Sequence, residues 1–142
     1  MDDAALRAVF ARDRFAAHAG IEILDTGPGR ARACLEIQPH HLNGMDVVQG
    51  GAIFTLADFA FALAANSHGV KTTGLSAAVH WLRPVRAGRL VAEAAEVSCA
   101  RRIATYSVRI TDSEGALVAT FHGTGYRLAD SWDGSARPDV KA

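Results

Sequence analysis

The sequence predicts an α+β fold in which one buried helix packs against a larger antiparallel sheet. The first observation is an apolar segment at residues 51–66, which has hydrophobic side chains or alanines on every face. A helix of that kind is covered by other elements. The second is a set of six short segments in which apolar and polar residues alternate as in β-strands. Together they predict one helix layer on one sheet layer.

Composition supports a single globular domain over residues 1–142. The chain is 49% hydrophobic and 21% charged, as in ordinary globular proteins. Its formal net charge is zero, so no basic field attracts nucleic acid and no charge bias favours an anionic membrane. The apolar helix is too short to span a membrane and holds Asp58 near its middle.

The N-terminal segment carries dispersed charges rather than an uninterrupted apolar core, so it is not expected to be a secretory signal. The pattern predicts instead an amphipathic helix within residues 1–19, ending near His18 before Gly20. Its apolar side chains are expected to face the body of the protein: Leu6, Val9, Phe10 and Phe15.

The six predicted strands follow in two groups. Residues 21–25 and 30–37 form a half-buried hairpin, and residues 72–82, 89–98, 103–111 and 117–126 form a meander after the central helix. The short connections predict antiparallel neighbours. Gly123 and Gly125 in the last strand would allow the helix to approach closely. The polar segment 130–142 is predicted to be a flexible tail.

Asp58 is the only ionisable residue between Gly51 and Ala65. An unpaired buried carboxylate is unfavourable, so the chain must supply donors, water or a ligand. One interpretation is structural, with the acid capping a loop or pairing with an arginine. The other is functional, with the carboxylate acting as a nucleophile or general base beside a cleft.

Gly50 and Gly51 lie where the central helix begins. The free N–H groups of a helix N-terminus can stabilise a developing oxyanion, although two glycines can equally serve a tight turn. Asp58 follows about 10 to 12 Å further along the same helix. One helix therefore does not easily bring both groups onto one reacting atom, whereas a second copy alongside in a dimer could.

These residues also carry a family resemblance. HLNG at residues 41–44, QGG at 49–51, LAD at 56–58, AANSHG at 64–69 and LRP at 82–84 resemble the hotdog-fold thioesterases of the phenylacetate-degradation type, close to the PaaI-like branch. The similarity covers about residues 16–126. It implies a central helix wrapped by a curved antiparallel sheet, and a homodimer, often doubled to a tetramer, with each cleft built from two chains.

The resemblance also implies a set of catalytic residues. Asp58 would be the nucleophile or base that attacks an acyl-CoA thioester, and Gly50 of the partner subunit would donate its N–H to the thioester oxygen, with Asn43 nearby. The family usually has histidine where this chain has Gln49. Glutamine donates hydrogen bonds but does not titrate near neutral pH, and this difference leaves the acid and the backbone donor in place.

Further residues are expected to contact the substrate. Arg83 and the pair Arg101 and Arg102 could bind the phosphates of coenzyme A, although exposed arginines at strand ends are common. Phe54 could line an acyl pocket, and Gly51 and Ser76 complete the expected substrate-binding set. No cofactor is expected beyond the coenzyme A of the substrate.

No metal site is expected. Adjacent His40 and His41 beside Asp46 lack the spacing of metal ligands. Cys34 and Cys99 match no metal or redox motif, and both are expected to be free and buried in a cytoplasmic protein.

The sequence is compatible with two functions. The first is hydrolysis of a small or aromatic acyl-CoA. The second is a non-catalytic acyl-CoA binder or regulator, which Gln49 keeps in play. A hydratase is less favoured because no Asp/His dyad can be placed.

Overall fold

The structure is a computed structural model that describes residues 1–137, and it confirms the predicted α+β arrangement. Two short helices come first, followed by a hairpin, the long central helix and four further strands. The predicted four-stranded meander was wrong for the first of these strands, residues 70–81, because it pairs with the last strand rather than with the next one. In chain order the elements are α1 (Asp3–Phe10), α2 (Arg14–Ala19), β1 (Ile21–Gly27), β2 (Arg30–Glu36), α3 (Gly50–Asn66), β3 (Val70–Trp81), β4 (Arg89–Cys99), β5 (Ile103–Thr111) and β6 (Leu117–Ser131).

The six strands form one antiparallel sheet in the order β1-β2-β4-β5-β6-β3. The sheet curves around α3, which contacts all six strands. Leu56, Ala60 and Leu63 of α3 are completely buried against strand residues such as Ile110 and Phe121. The core therefore lies between the central helix and the concave face of the sheet. Among residues 1–137, no helix combines the length and apolar character that crossing a membrane would require.

The close approach of helix and sheet predicted at the last strand is confirmed. A Cβ atom built on Gly123 would lie 2.9 Å from the ring of Phe61 in α3. Real Cβ atoms essentially never make such a contact. Glycine at this position lets the Phe61 ring lie directly on the backbone of β6.

The N-terminal prediction was wrong in two respects. The segment forms two helices, because the Asp13 carboxylate accepts a hydrogen bond from Ala16 N–H (2.9 Å) and begins a new helix after Ala11. The break between α1 and α2 changes the direction in which the side chains of α2 point. Leu6 is buried as expected, but Phe15 is 71% exposed and does not face the core of its own chain.

The predicted flexible tail is also corrected over residues 130–137. Strand β6 continues to Ser131, and Trp132 Nε1 donates to Asn66 Oδ1 at 2.9 Å. Arg137 is buried and its guanidinium donates to the backbone oxygens of Arg101 and Arg127 at 2.7 and 2.9 Å. Residues 138–142, the rest of that predicted tail, lie outside the described residues.

The two cysteines are free, as predicted, but they differ in burial. Cys34 is buried on β2, whereas Cys99 is exposed at the end of β4. The expectation that both are buried was therefore wrong for Cys99, because it is the last residue of β4 and lies beside the exposed turn at residues 100–102.

Candidate active site

One face of α3 is left uncovered by the chain itself. Gly51 and Asp58 are exposed, and Thr55 and Ala62 are half-buried, whereas the helix is otherwise largely enclosed. A spacing of three or four residues places these four positions in one line along the helix. We call them the α3 stripe. The expectation that the helix is buried on every face is thus wrong for a single chain.

Asp58 lies on the α3 stripe. Its carboxylate forms no hydrogen bond or ion pair with any other residue of the described 1–137 segment, which leaves it available to a ligand. Although the side chain reaches solvent, the surrounding protein raises its pKa above the ordinary 3.8 by desolvation, and the nearby negative charge of Asp13 raises it further. A carboxylate of this kind is a stronger base than one on an open surface.

The start of α3 is shaped by the side chain of Gln49. Its Oε1 accepts a short hydrogen bond from Gly51 N–H and caps the helix. The Gln49 side chain therefore presents only its amide Nε2 as a donor to a ligand. The N–H of Gly51 is occupied by this cap, whereas the N–H of Gly50 reaches no acceptor within residues 1–137.

Trp81 at the end of β3 covers the Gly50 backbone. Its Nε1 donates to Gly50 O at 3.1 Å. A Cβ atom on Gly50 would lie only 3.0 Å from the indole ring. A side chain at this position would therefore press on the indole, and glycine avoids that contact.

Asn43 organises the loop before α3. Its Oδ1 accepts hydrogen bonds from the N–H groups of Met45 (2.8 Å) and Val47 (3.3 Å). A cavity of about 360 Å³ lies beside this loop, and its lining includes Asn43, Gly50 and Arg83. The structure therefore brings together three of the residues that the sequence predicted for the site.

The other predicted residues lie elsewhere in the single chain. Phe54 is half-buried and packs edge-to-face on Phe121, with ring centroids 5.4 Å apart. Ser76 is exposed in the middle of β3, which is an edge strand. Asp58 follows Gly50 by eight residues on the same helix, about 12 Å at 1.5 Å per residue.

Arg101 and Arg102 lie at the opposite end of the sheet from Gly50. Arg127 N–H donates to Arg102 O at 2.7 Å, and Arg127 pairs with Thr72 at the start of β3. Trp81, beside Gly50, lies nine residues further along β3, or about 30 Å at 3.3 Å per residue. One chain does not bring these arginines to the cavity beside Gly50.

Sequence reasoning missed two features of this region. Asp13 could have been identified as a helix N-cap from its position before a short apolar turn, but its proximity to Asp58 depends on how α2 packs on α3. The indole hydrogen bond to Gly50 O had no sequence signal, because 31 residues separate the two partners.

Comparison with known proteins agrees with this geometry. The Thioesterase superfamily model matches residues 45–119. The acyl-coenzyme A thioesterase PaaI of Escherichia coli is 31% identical over 91% of this chain and 93% of its own.

Solved structures give the same result. The structure of E. coli PaaI aligns with a TM-score of 0.87 and 30% identity, covering 90% of this chain and 94% of PaaI. The TT0310 protein of Thermus thermophilus aligns with a TM-score of 0.79 and 42% identity, covering 82% of this chain and 99% of TT0310. The chain belongs to the thioesterase superfamily, in its PaaI-like branch, with the hotdog fold of a thioester hydrolase.

Proposed function

We propose that the protein hydrolyses an acyl-CoA thioester with a small or aromatic acyl group, releasing the free acid and coenzyme A. The observation that carries this proposal is Asp58, an unpaired carboxylate with a raised pKa on the uncovered α3 stripe. The similarity to a relative named as an acyl-coenzyme A thioesterase supports the substrate class.

The proposed site needs two subunits. Gly50 and Asp58 of one helix are too far apart to act on one carbonyl group, since about 12 Å separates them. If the α3 helices of two copies lie side by side and antiparallel, crossing near Thr55, then Gly50 of one subunit faces Asp58 of the other. The uncovered α3 stripe supports a homodimer of this kind, and we propose that two dimers form a tetramer.

The proposed chemistry uses both groups on the same thioester carbonyl. Asp58 either attacks the carbonyl carbon directly or removes a proton from an attacking water. The Gly50 N–H donates to the oxyanion that forms. The C–S bond then breaks, and coenzyme A leaves as a thiolate that takes up a proton. If Asp58 attacks directly, water must then hydrolyse the acyl-aspartyl anhydride, which releases the free acid and restores the carboxylate. No cofactor is required, because coenzyme A is itself part of the substrate.

Asn43 and Gln49 would support this reaction from the loop before α3. Asn43 fixes the loop through its two accepted hydrogen bonds, and its amide nitrogen can still donate to the thioester. Gln49 can donate from Nε2 while its oxygen caps the helix. Because neither amide titrates near neutral pH, Asp58 is the proposed proton acceptor.

The substrate-binding residues also come together only in the dimer. If the two β3 strands pair antiparallel, the end of the sheet that carries Arg101 and Arg102 lies near Gly50 and Arg83 of the other subunit. Guanidinium groups there could bind the phosphates of coenzyme A. Phe54, Gly51 and Ser76 would line the path of the acyl group and the thioester.

The two free cysteines suit a reducing compartment, so we place the reaction in the cytoplasm.

Asp58→Asn tests the proposal, with Asp13→Asn as the matched control. Loss of the carboxylate should lower kcat by about 100- to 10,000-fold while binding of acyl-CoA changes little. Asp13→Asn keeps a good helix N-cap and should stay close to the wild-type rate. Equal turnover by the Asp58 variant would show that another group performs the chemistry.

A second function, acyl-CoA binding without turnover, is favoured by one observation. Gln49 supplies no titratable group beside Gly50, and its oxygen is already used in capping the helix. A screen of purified protein against a range of acyl-CoA chain types separates the two. Thiol release supports the hydrolase, whereas tight binding with no release supports the binding protein.

A further inference from the structure

A second cluster of chemically active side chains lies at the far end of α3. His68 follows this helix, and Glu96 and Cys99 lie near the end of β4. One ligand atom from each of the three lies within 4.8 Å of the others. Among residues 1–137 this is the only such group of three or more, and it does not include His40, His41 or Asp46. His68 lies 18 residues beyond Gly50, so the cluster lies at the opposite end of the helix from Gly50 of the same chain.

A β-bulge brings two of these residues together. In a regular strand, residues three apart point to opposite faces of the sheet. The pairing of β4 with β5 shifts between Glu96 and Ser98, so that Glu96 pairs with Tyr106 and Cys99 with Ala104. Tyr106 and Ala104 are both buried on the inner face. The bulge therefore turns Glu96 and Cys99 to the same face, and bulges of this kind often orient a side chain at a functional site.

The carboxylate of Glu96 is held in place by its neighbours. The buried Tyr106 donates its hydroxyl to Glu96 Oε2 at 2.9 Å, and His68 Nε2 lies 2.6 Å from the same oxygen. Glu96 N–H donates to Gly29 O at 2.8 Å. Gly29 has a φ of +68° and lies against the Glu96 side chain, so a larger residue there would be strained. Hydrogen bonds of this type orient the ligands in metal sites.

An ion pair between His68 and Glu96 explains only part of this arrangement. It requires neither the thiol of Cys99 nor the bulge that turns Cys99 toward the other two residues. Imidazole nitrogen, carboxylate oxygen and thiolate sulfur together are the ligand types of Zn²⁺ sites, whereas Mg²⁺ and Ca²⁺ prefer oxygen alone. His68 and Cys99 are both exposed, which provides a route for an ion from solvent.

We propose that His68, Glu96 and Cys99 bind one Zn²⁺ ion, with water as the fourth ligand. The ligand atoms in a tetrahedral zinc site lie about 3.5 Å apart, given bond lengths of roughly 2.0–2.3 Å. A side-chain movement of about 1 Å brings the more distant ligand atoms to that spacing, whereas His68 Nε2 and Glu96 Oε2 move apart from their 2.6 Å contact. The ion replaces the hydrogen bond between His68 Nε2 and Glu96, which places the imidazole proton on Nδ1. Cys99 loses its thiol proton to solvent when the Zn–S bond forms.

The ion would link the end of α3 to β4. Because an unfolded chain does not hold the three ligands together, binding should favour the folded state and raise Tm. No sequence motif indicates the site, since its ligands follow no short spacing pattern and Glu96 and Cys99 share a face only because of the bulge.

Zinc binding by the purified, tag-free full chain tests the proposal. Titration calorimetry should show one Zn²⁺ per chain for the wild type and for Cys34→Ala, the matched cysteine control. Cys99→Ala and His68→Ala should each lose this binding event. Tyr106→Phe should weaken it by about 10- to 100-fold, because the Glu96 carboxylate is no longer oriented. If Cys99→Ala binds Zn²⁺ as tightly as the wild type, the proposal is wrong.

Cobalt substitution provides a test that does not depend on how the variants fold. Co²⁺ bound by Cys99 should produce a thiolate-to-metal charge-transfer absorption in the wild type and in Cys34→Ala. A Co²⁺ complex of the wild type without that absorption would overturn the assignment. Thioester hydrolysis is not needed for either measurement, so failure of the zinc site would leave the proposed function unaffected.

Discussion

The two edges of the sheet differ in how far other residues of the chain cover their backbone groups. At the β1 edge, the Arg7 guanidinium from α1 donates to the backbone oxygens of Ile23 and Leu24 at 3.1 and 2.9 Å. The register of β1 also shifts between Ile23 and Asp25. At the β3 edge, a strand of twelve residues is mostly exposed, with Leu75 61% and Trp81 55% accessible. Proteins usually protect a long apolar edge from further strand pairing.

The difference indicates where a second subunit would bind. A strand edge covered by its own chain has fewer free backbone groups for pairing, whereas an open apolar edge can accept another strand. The α3 stripe with Asp58 is also uncovered. We infer that one surface serves both assembly and catalysis.

Leu75→Lys should disrupt the assembly of the subunits. A lysine in the middle of the open β3 edge places a charge where a second β3 strand would pair. We expect the dimer Kd to weaken by about 100-fold, as for a central interface residue, and activity to fall at concentrations where the subunits separate. Sedimentation and kcat measured on the same sample provide the check.

Val97→Lys is the matched control, because Val97 is 66% exposed but lies on β4, away from both edges. It should leave assembly unchanged. A Leu75→Lys monomer with full activity would separate catalysis from assembly and contradict the two-chain site.

Gly50→Ala should reduce turnover by about 10- to 100-fold, because a misplacement of about 1 Å at a reacting group has effects of that size. The added methyl would lie 3.0 Å from the Trp81 ring and displace the start of α3. Gly44→Ala is the control, since no atom lies within 4 Å of the added Cβ. Steady-state kinetics would contradict the assignment if both variants behave alike.

Ionisation of Asp58 as the pH rises should increase activity and decrease the stability of the folded chain. Its folded-state pKa lies above 3.8 because of desolvation and the charge of Asp13. The folded chain therefore holds this proton more tightly than the unfolded chain. Ionisation of Asp58 costs no stability below about pH 3.8 and becomes destabilising as the pH rises through the raised pKa. Activity should rise over the same range, because the carboxylate must be ionised to act.

Thermal unfolding of Asp58→Asn tests the stability part. Its Tm should exceed that of the wild type at neutral pH, and the difference should vanish at acidic pH.

The pH profile of kcat/KM tests the activity part. It should show no inflection of the kind a titrating histidine produces between roughly pH 6 and 7. His41 is buried, with Nε2 2.7 Å from Ala19 O. An inflection in that range that disappears on mutating His41 would contradict Asp58 as the titrating group.

Arg7→Ala should have the smallest effect. Removing the two hydrogen bonds from a charged group to the β1 carbonyls should lower the free energy of unfolding by about 1 to 2 kcal/mol. Arg12→Ala removes a charge from an exposed position nearby and should change stability little. Chemical denaturation measures both. If Arg7→Ala causes no loss, the β1 edge is not protected in the way we infer.

The strands and the central helix were predictable because their patterns are local. Alternation predicted β2, and the apolar segment predicted α3 within one residue at its start. The two-helix N-terminus was missed because the Asp13 cap interrupts what resembles one amphipathic pattern. The structured residues 130–137 were missed because Trp132 and Arg137 are held by Asn66, Arg101 and Arg127, which are distant in sequence.

In the candidate site, too, some features were visible in the sequence and others depended on contacts between distant residues. Asp58 and Gly50 were identifiable because an acid in an apolar helix and glycines at a helix start are visible in the sequence. The raised pKa of Asp58, the Trp81 hydrogen bond and the placement of Arg102 and Gly50 at opposite ends of the sheet depend on contacts between elements.

Short-range hydrophobic patterns decide which residues are buried, so the central helix, the strands, the α+β class and the acid on the helix could be read from the sequence. Which face of α3 stays uncovered, which sheet edge stays open and how a bulge brings Glu96 and Cys99 to His68 follow instead from the packing of helix and sheet. These features depend on the order in which strands pair, and that order brings together residues whose separation along the chain carries no signal.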